Sequence, residues 1–281
     1  MRVTFWGTRG SVPVPGPSTL RYGGNTPCIS LEHGSSLLVL DAGTGIRGLG
    51  QALVQRGRRG PIEIFLSHAH VDHISGLPFF PAIHDPAARV RIFGPHPDVG
   101  TLHEALARQM KPPQWPAYYA EVAARLDVTE ITAGPIPSEY FRTAAVALRH
   151  PGRTLGFSIS AAPGAPTVNY LTDNELGDWS GTPEWQVQLA DFLQNGSVLI
   201  HDATYGDTEI PERSGWGHSS ASQAVDLAMA AGMERLILFH HAPEHDDDEV
   251  DRLLAGARRR VAEAGGRVLV DAAAEGSSFD V

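Results

Sequence analysis

Lysine is nearly missing from this chain: Lys111 is the only one in 281 residues. With a formal charge of −10, that excludes a broad basic surface for nucleic acid and leaves only a local arginine patch as a route to such a partner. Cysteine is as scarce. Cys28 stands alone, so no intrachain disulfide can form and the fold does not depend on an oxidising compartment. Long apolar runs are also wanting. No segment reaches the ~18 uninterrupted apolar residues of a membrane helix. The opening MRVTFWGTRGS has neither an apolar stretch of signal-peptide length nor a small-residue cleavage pattern. The expectation is a soluble, cytoplasmic protein with no membrane partner. There is no repeat, low-complexity tract or linker. A chain of this length with 42% hydrophobic residues is therefore read as one domain, 1–281, with a sizeable core.

Histidine is what the chain has in excess, with 13 copies, many of them where apolar runs end. Those runs read as strands: RVTFWG, CISLEH and SLLVLD (2–7, 28–33, 36–41), PIEIFLS (61–67), VRIFGP (90–95), LDVTEIT, AAVALRH, LGFSISA, TVNYLTD, SVLIHDA and RLILFHH (235–241). Residues 100–126 read as an insert with two helical pieces, broken at MKPPQWPAYY (110–119) because prolines forbid a continuous helix. Helices are expected over PEWQVQLADFLQNG (183–196) and SASQAVDLAMAAG (220–232). A last helix opens on Asp246–Glu249 and closes near Arg258–Arg260, a polarity that complements the helix dipole. The simplest layering is two packed sheets with helices outside.

One motif misleads. GTGIRG (43–48) matches a dinucleotide fingerprint, and Glu63 lies 20 residues beyond Gly43. A ribose-binding acid should end its strand, however, and Glu63 sits inside PIEIFLS. The glycines are better read as a tight turn after Asp41, which can buttress a site from behind.

SHAHVDH (67–73) is the centre of the argument, because it packs His68, His70, Asp72 and His73 into six positions after an apolar strand. Such groups are costly to bury without partners. His68 and His70, two apart, point the same way in extended chain, and Asp72 and His73 follow as the chain turns toward a helix. One pair can serve one metal ion and the second pair another. Each ion takes several protein donors. Further donors end three apolar strands: His150, Asp173, and His240 or His241.

HAHVDH (68–73), written HxHxDH, resembles the signature of metallo-β-lactamase-fold hydrolases, and the later His, Asp and His match that family's remaining ligands in order. The resemblance covers nearly the whole chain. It implies an α/β, four-layer αββα sandwich of two mixed sheets with outer helices. By the same match His68, His70 and His150 hold one ion, while Asp72, His73 and His240 hold the other. Asp173 bridges them with a water or hydroxide. His240 is preferred to His241, since the family places the ligand two residues after a strand Leu, here Leu238.

The branch is read from two more motifs. HDATY (201–205) resembles the HEATF element of RNase Z, and GHSS (217–220) resembles its G-H-S/T element. The resemblance implies a catalytic pair, Asp202 and His218, with Asp72 counted as both ligand and catalytic residue. Asp202 is one methylene shorter than the family Glu, so its reach to His218 is left to the tertiary structure. FWGTRGSVPVPGP and YGGNTPC are also similar to small bacterial phosphodiesterase-like members.

The function implied is a dinuclear metal-dependent hydrolase cleaving a small or cyclic phosphodiester, with two divalent ions, zinc ahead of manganese or iron. The alternatives are tRNA 3′-end processing, a lactone or thioester hydrolase, and a metal-stabilised scaffold. A net charge of −10 and the lack of a Gly/Pro-rich basic arm favour a small substrate over structured RNA. Trp115, Tyr118 and Tyr119 either stack on a base or only pack the insert. Exposed apolar strand edges would suit a homodimer.

Overall fold

The computed structural model describes residues 1–58, 60–177, 184–194 and 196–281. The chain opens with an antiparallel meander of β1 (Arg2–Gly7), β2 (Cys28–His33) and β3 (Ser36–Leu40). Three parallel strands follow: β4 (Ile62–Phe65), β5 (Val90–Pro95) and β6 (Asp127–Ile131). Parallel neighbours need crossovers, and helices provide them. These are α1 (Ile46–Gln55), then short α2 (Val71–Ile74) and α3 (Pro81–His84), then α4 (Leu102–Arg108) and α5 (Ala117–Ala123).

The second half repeats the plan. β7 (Gly134–Pro135), β8 (Arg142–Leu148), β9 (Thr154–Ser160) and β10 (Thr167–Leu171) are antiparallel. Parallel strands β11 (Val198–Asp202), β12 (Arg235–Phe239) and β13 (Leu269–Ala272) alternate with α6 (Glu184–Leu193), α7 (Ala221–Ala230) and α8 (Asp247–Glu263). β14 (Ser278–Asp280) returns to pair with β1. Each sheet thus has seven strands among the described residues, in the orders 14-1-2-3-4-5-6 and 13-12-11-10-9-8-7.

Three apolar layers hold these elements together. Phe5, Phe65, Phe157, Tyr170 and Phe239 come from both sheets and fill the space between them. Leu49, Leu77 and Leu102 seal the first sheet under its helices, and Leu189, Val225 and Ala257 do so on the second. Burying one such Leu or Phe side chain contributes about 1.5–3 kcal/mol. The expected αββα sandwich is what results. Its parallel strands are buried on both faces, so they read as apolar runs and not as alternation.

Details of the sequence reading meet the structure at the helix ends. Ser220 forms a capping box with Gln223 at α7, and Asp246 accepts from Glu249 N (2.8 Å) at α8. Of the 183–196 helix, Pro183 and Asn195 lie outside the described residues. The proline-rich break is shorter than 110–119: Pro116 caps α5, which already includes Tyr118 and Tyr119. Trp115 packs on Tyr119 (4.4 Å between ring centroids) and on Phe79 (5.1 Å), so these rings fill the insert. Strands β7, β13 and β14 were not anticipated. They are short sheet-edge strands; β14 pairs with β1 at the other end of the chain, β13 with β12 some thirty residues back, and β7 is only two residues long. Among the described residues no helix is long and apolar enough to cross a membrane.

Candidate metal centre

The site lies where strands end. Asp41 follows β3, Asp173 lies two residues beyond β10, and His240 follows β12. Each adopts a left-handed backbone, at φ 58°, 54° and 60°. For an L-residue this conformation costs roughly 1–2 kcal/mol, and Asp and His are among the few types that adopt it with any frequency. The turn takes each side chain out of its strand's alternation and into one rim.

Two nests of donor atoms meet there. His68, His70, His150 and Asp173 place one ligand atom each within 4.8 Å of one another, and so do Asp72, His73 and His240. Asp173 joins them. Its Oδ2 lies 3.7 Å from His68 Nε2 and 3.5 Å from His150 Nε2. Its Oδ1 lies 3.3 Å from His73 Nε2 and 3.2 Å from His240 Nε2. Asp72 Oδ2 completes the second nest at 3.2 Å from His73 Nε2 and 3.3 Å from His240 Nε2.

The fit to metal can be tested on hydrogen bonding. His73 Nδ1 donates to Asp41 (2.7 Å), His150 Nδ1 to Gly217 O (3.0 Å), His68 Nδ1 to Ser67 Oγ (3.0 Å) and His240 Nδ1 to Thr204 Oγ1 (3.0 Å). This network assigns the tautomers: all four Nε2 lone pairs converge inward, as in metal-binding histidines with an outer partner. The Nε2 atoms of His68 and His73 are buried with no hydrogen-bond partner, an arrangement that a bound cation would satisfy. Four donors about 2.0–2.1 Å from a tetrahedral ion stand about 3.4 Å apart, which is the spacing found. The donor set is all nitrogen and oxygen, so divalent zinc, manganese or iron suits it.

Electrostatics agree. Burial alone would lower the His73 imidazole, but Asp72, Asp173 and Asp41 raise it well above the usual range. Burial would raise Asp72 and Asp173, yet the surrounding histidines hold both below the usual carboxylate range. The pocket therefore asks for positive charge where the lone pairs meet.

Asp41 buttresses this arrangement from behind. Its buried carboxylate accepts from His73 Nδ1, Ser67 N (2.7 Å), Ser67 Oγ (2.9 Å) and Tyr170 OH (2.7 Å). Asp202 and His218 also come together: Asp202 Oδ2 lies 2.6 Å from His218 Nδ1. The shorter acid reaches because β11 carries it directly under the loop before α7. Burial opposes protonation of His218, but Asp202 overcomes this and raises the imidazole to about 9. The ring stacks on His240 (5.0 Å) and tilts against His150 (5.2 Å), touching a donor from each nest. His241 faces away. Its Nε2 donates to Ala273 O (2.9 Å) and its ring abuts Tyr22.

Sequence reasoning missed the N-terminal clamp. Arg9 is fully buried and donates to Gly23 O (Nη2, 3.0 Å), Ala242 O (2.9 Å) and His245 O (2.8 Å), gripping the backbone just past His240. Ser11 N donates to Asp72 Oδ2 (2.8 Å). Gly10 must lack a side chain, because a Cβ there would stand 2.4 Å from His240 Nδ1. The only sequence signal was the FWGTRGS run, which contains these residues but says nothing of their partners. GTGIRG proves to be a packing device: a Cβ on Gly43 would meet Asp72 O at 2.2 Å. Glu63 accepts from Ser138 Oγ (2.5 Å) and Glu139 N (3.1 Å), far in role from a ribose contact.

The ribonuclease Z of Exiguobacterium sibiricum is 27% identical over 83% of this chain and 88% of its own length. The crystal structure of human tRNase Z, short form, superposes with a TM-score of 0.66 at 22% identity, covering 100% of this chain and 99% of that one. Unliganded yeast PDE1 superposes with a TM-score of 0.73 at 15% identity, covering 100% and 99%. The profile of the family described as "Beta-lactamase superfamily domain" matches residues 37–241, from β3 through the last histidines of the site. The chain therefore belongs to the beta-lactamase superfamily.

Proposed function

We propose that this protein is a dinuclear metal-dependent hydrolase of small or cyclic phosphodiesters, with 1–281 acting as one catalytic domain that carries 100–126 as an insert. His68, His70 and His150 would hold one ion, Asp72, His73 and His240 the other, and Asp173 both. Zinc is the first choice, then manganese or iron. Bound divalent ions supply Lewis-acid charge for a phosphoryl oxygen and a water acidic enough to ionise near neutral pH.

The observation that carries the reading is the His218–Asp202 pair, which stands against both nests while completing neither. Asp202 fixes His218 through Nδ1, so Nε2 is the nitrogen left to act. A diester's leaving alkoxide is strongly basic and needs a proton as its bond to phosphorus breaks. His218 gives that proton from Nε2, and Asp202 stabilises the ring before transfer. Asp202 Oδ1 also accepts from Thr204 Oγ1 (2.7 Å), whose oxygen takes the His240 Nδ1 proton. One carboxylate thereby positions both the acid and a metal donor. A thioester's leaving thiolate departs without such help, so the pair would be idle in a thioesterase.

The second reading, endonucleolytic processing of tRNA 3′ ends, is favoured by the relative named ribonuclease Z. The net charge of −10 weighs against it, because phosphate-rich partners bind through counterion release to basic surfaces. Metal analysis coupled to a screen decides. The screen compares bis(p-nitrophenyl) phosphate, 2′,3′- and 3′,5′-cyclic nucleotides, pre-tRNA and a thioester panel. Cyclic nucleotide or aryl diester turnover with two ions per chain is expected. Turnover of thioesters alone would overturn the proposal, and salt-sensitive cleavage of pre-tRNA alone would select the second reading.

A further inference from the structure

We infer that Arg213 and Trp216 form a subsite for the nucleoside that carries the departing oxygen, which makes the substrate class a nucleobase-bearing diester; this rests on the reading of the metal centre as a phosphodiesterase. The loop that carries them is pinned and not loose. Gly215 N and Gly217 N both donate to the Glu175 carboxylate (2.9 and 2.8 Å). Gly217 O accepts from His150 Nδ1 (3.0 Å), and Trp216 N donates to Arg213 O (3.1 Å). Between these anchors Trp216 is 55% exposed, two residues from His218. Its ring is packed on one side by Arg213 and leaves a face open to solvent.

Arg213 lies over two rings at once, 4.9 Å from the centroid of Tyr205 and 5.0 Å from that of Trp216. It makes a long hydrogen bond to Tyr205 OH (3.4 Å). Among the described residues no carboxylate comes within ion-pair distance of it. Glu244 and Glu209 act on it through space, and Glu209 is engaged with His245 (3.2 Å) and Gly206 N (2.7 Å). A flat cation held by aromatic rings, with donors to spare, suits a purine or pyrimidine face and the anion attached to it.

The position identifies which part of the substrate is met. Tyr205 stands edge-on to His218 (5.8 Å), so Arg213 and Trp216 lie one ring beyond the proton donor. His218 serves the departing oxygen, and the group beyond it is therefore the sugar that bears that oxygen, with its base. A bare alkyl or glycerol diester would offer the open face of Trp216 no flat ring to stack on. Arg213, without an ion pair among the described residues, also gives this acidic chain a positive group for an anion.

The test compares adenosine 2′,3′-cyclic phosphate with base-free ribose 2,3-cyclic phosphate on the metal-loaded enzyme. Trp216→Ala should raise KM for the adenosine substrate roughly five- to a hundredfold, the range of base–aromatic stacking. It should change kcat little and leave the base-free substrate within about twofold on the same stacking argument. Trp216→Phe should restore most of the loss, and Arg213→Gln should flatten the salt dependence of kcat/KM. Equal losses on both substrates, or none on either, would overturn the inference. A second arm is independent of turnover. Adenosine 3′-monophosphate should quench tryptophan emission of the wild type but not of Trp216→Phe, and equal quenching in both overturns the subsite. If the wild type cleaves neither diester, the phosphodiesterase reading falls and the quench alone decides the fate of the subsite.

Discussion

Asp202 Oδ2 lies 2.6 Å from Nδ1 of His218, and its other oxygen takes the Thr204 hydroxyl that in turn holds His240. The same buried carboxylate therefore sets the proton donor and one wall of the metal centre. Loss of His218 should be felt in proportion to how much the leaving oxygen needs a proton. His218→Gln is expected to lower kcat about 10²–10⁴-fold for alkoxide leaving groups. For p-nitrophenolate, which departs unprotonated, the loss should shrink to about tenfold or less. Stopped assays on both substrates, with metal content measured alongside, check this. Metal loss in the variant would contradict it.

Asp173 offers one oxygen to each nest. Asp173→Ala should remove the shared donor, lower bound metal below two ions per chain and abolish turnover. Chelation of the wild type should lower Tm, since ions that bind only the folded state stabilise it by mass action. A chain of this size loses about 2–4 °C per kcal/mol. Elemental analysis and a melting curve with and without chelator suffice.

Arg9 is buried against three carbonyls. Arg9→Met strands Gly23 O and His245 O, while Ala242 O keeps the His245 N donor (3.1 Å), and should cost about 2 kcal/mol or more at 1–3 kcal/mol per stranded group. The loss should fall on the nest of Asp72 and His240, because the clamp grips the chain beside both. Urea midpoints together with a stepwise metal titration will show whether the weaker ion is lost first.

Gly10 and Gly217 have room for no side chain. A Cβ at position 217 would stand 2.0 Å from His150 Nδ1, and φ there is 86°. Gly10→Ala should disturb His240 and Gly217→Ala should disturb His150, so each ought to weaken a different nest. Separate loss of one ion in each variant is the expected result of metal titration, and unchanged affinity in both would speak against the packing argument.

His241 is buried, and that burial, reinforced by Arg9 and by His240 and His245, lowers its imidazole to about 3 despite the Ala273 carbonyl. Tyr22 and Ala273 complete its surroundings. The unfolded chain takes up this proton near pH 6.5, whereas the folded chain resists. Stability from this group is therefore complete above about 6.5 and declines as pH falls toward 3, by at most about 1.4 kcal/mol per pH unit. His241→Gln should remove that share, so the urea midpoints of variant and wild type should converge as pH drops from 7 to 4. The metal-donor histidines are common to both proteins and cancel in the difference.

Much of this was open to reading along the chain. Apolar runs bounded by Gly, Pro and Ser marked the central strands, because parallel strands buried on both faces need them. The local cluster at 68–73 announced a metal centre, because four ligand residues at that spacing have few other uses. The edge strands β13 and β14 escaped, since their partners lie far along the chain, and β7 escaped because two residues carry no pattern. Arg9 escaped as well: its three carbonyl partners lie at positions 23, 242 and 245, and no local pattern encodes them.

The linear order of residues determined which donors exist and that they end apolar strands. Only the tertiary structure decided how they face. Asp41, Asp173 and His240 leave their strands through left-handed backbone, so strand alternation does not foretell their direction. The choice between His240 and His241, and the reach of Asp202 to His218, depend on strand order and on the turns that follow, which are properties of the packed sheets and not of any single segment.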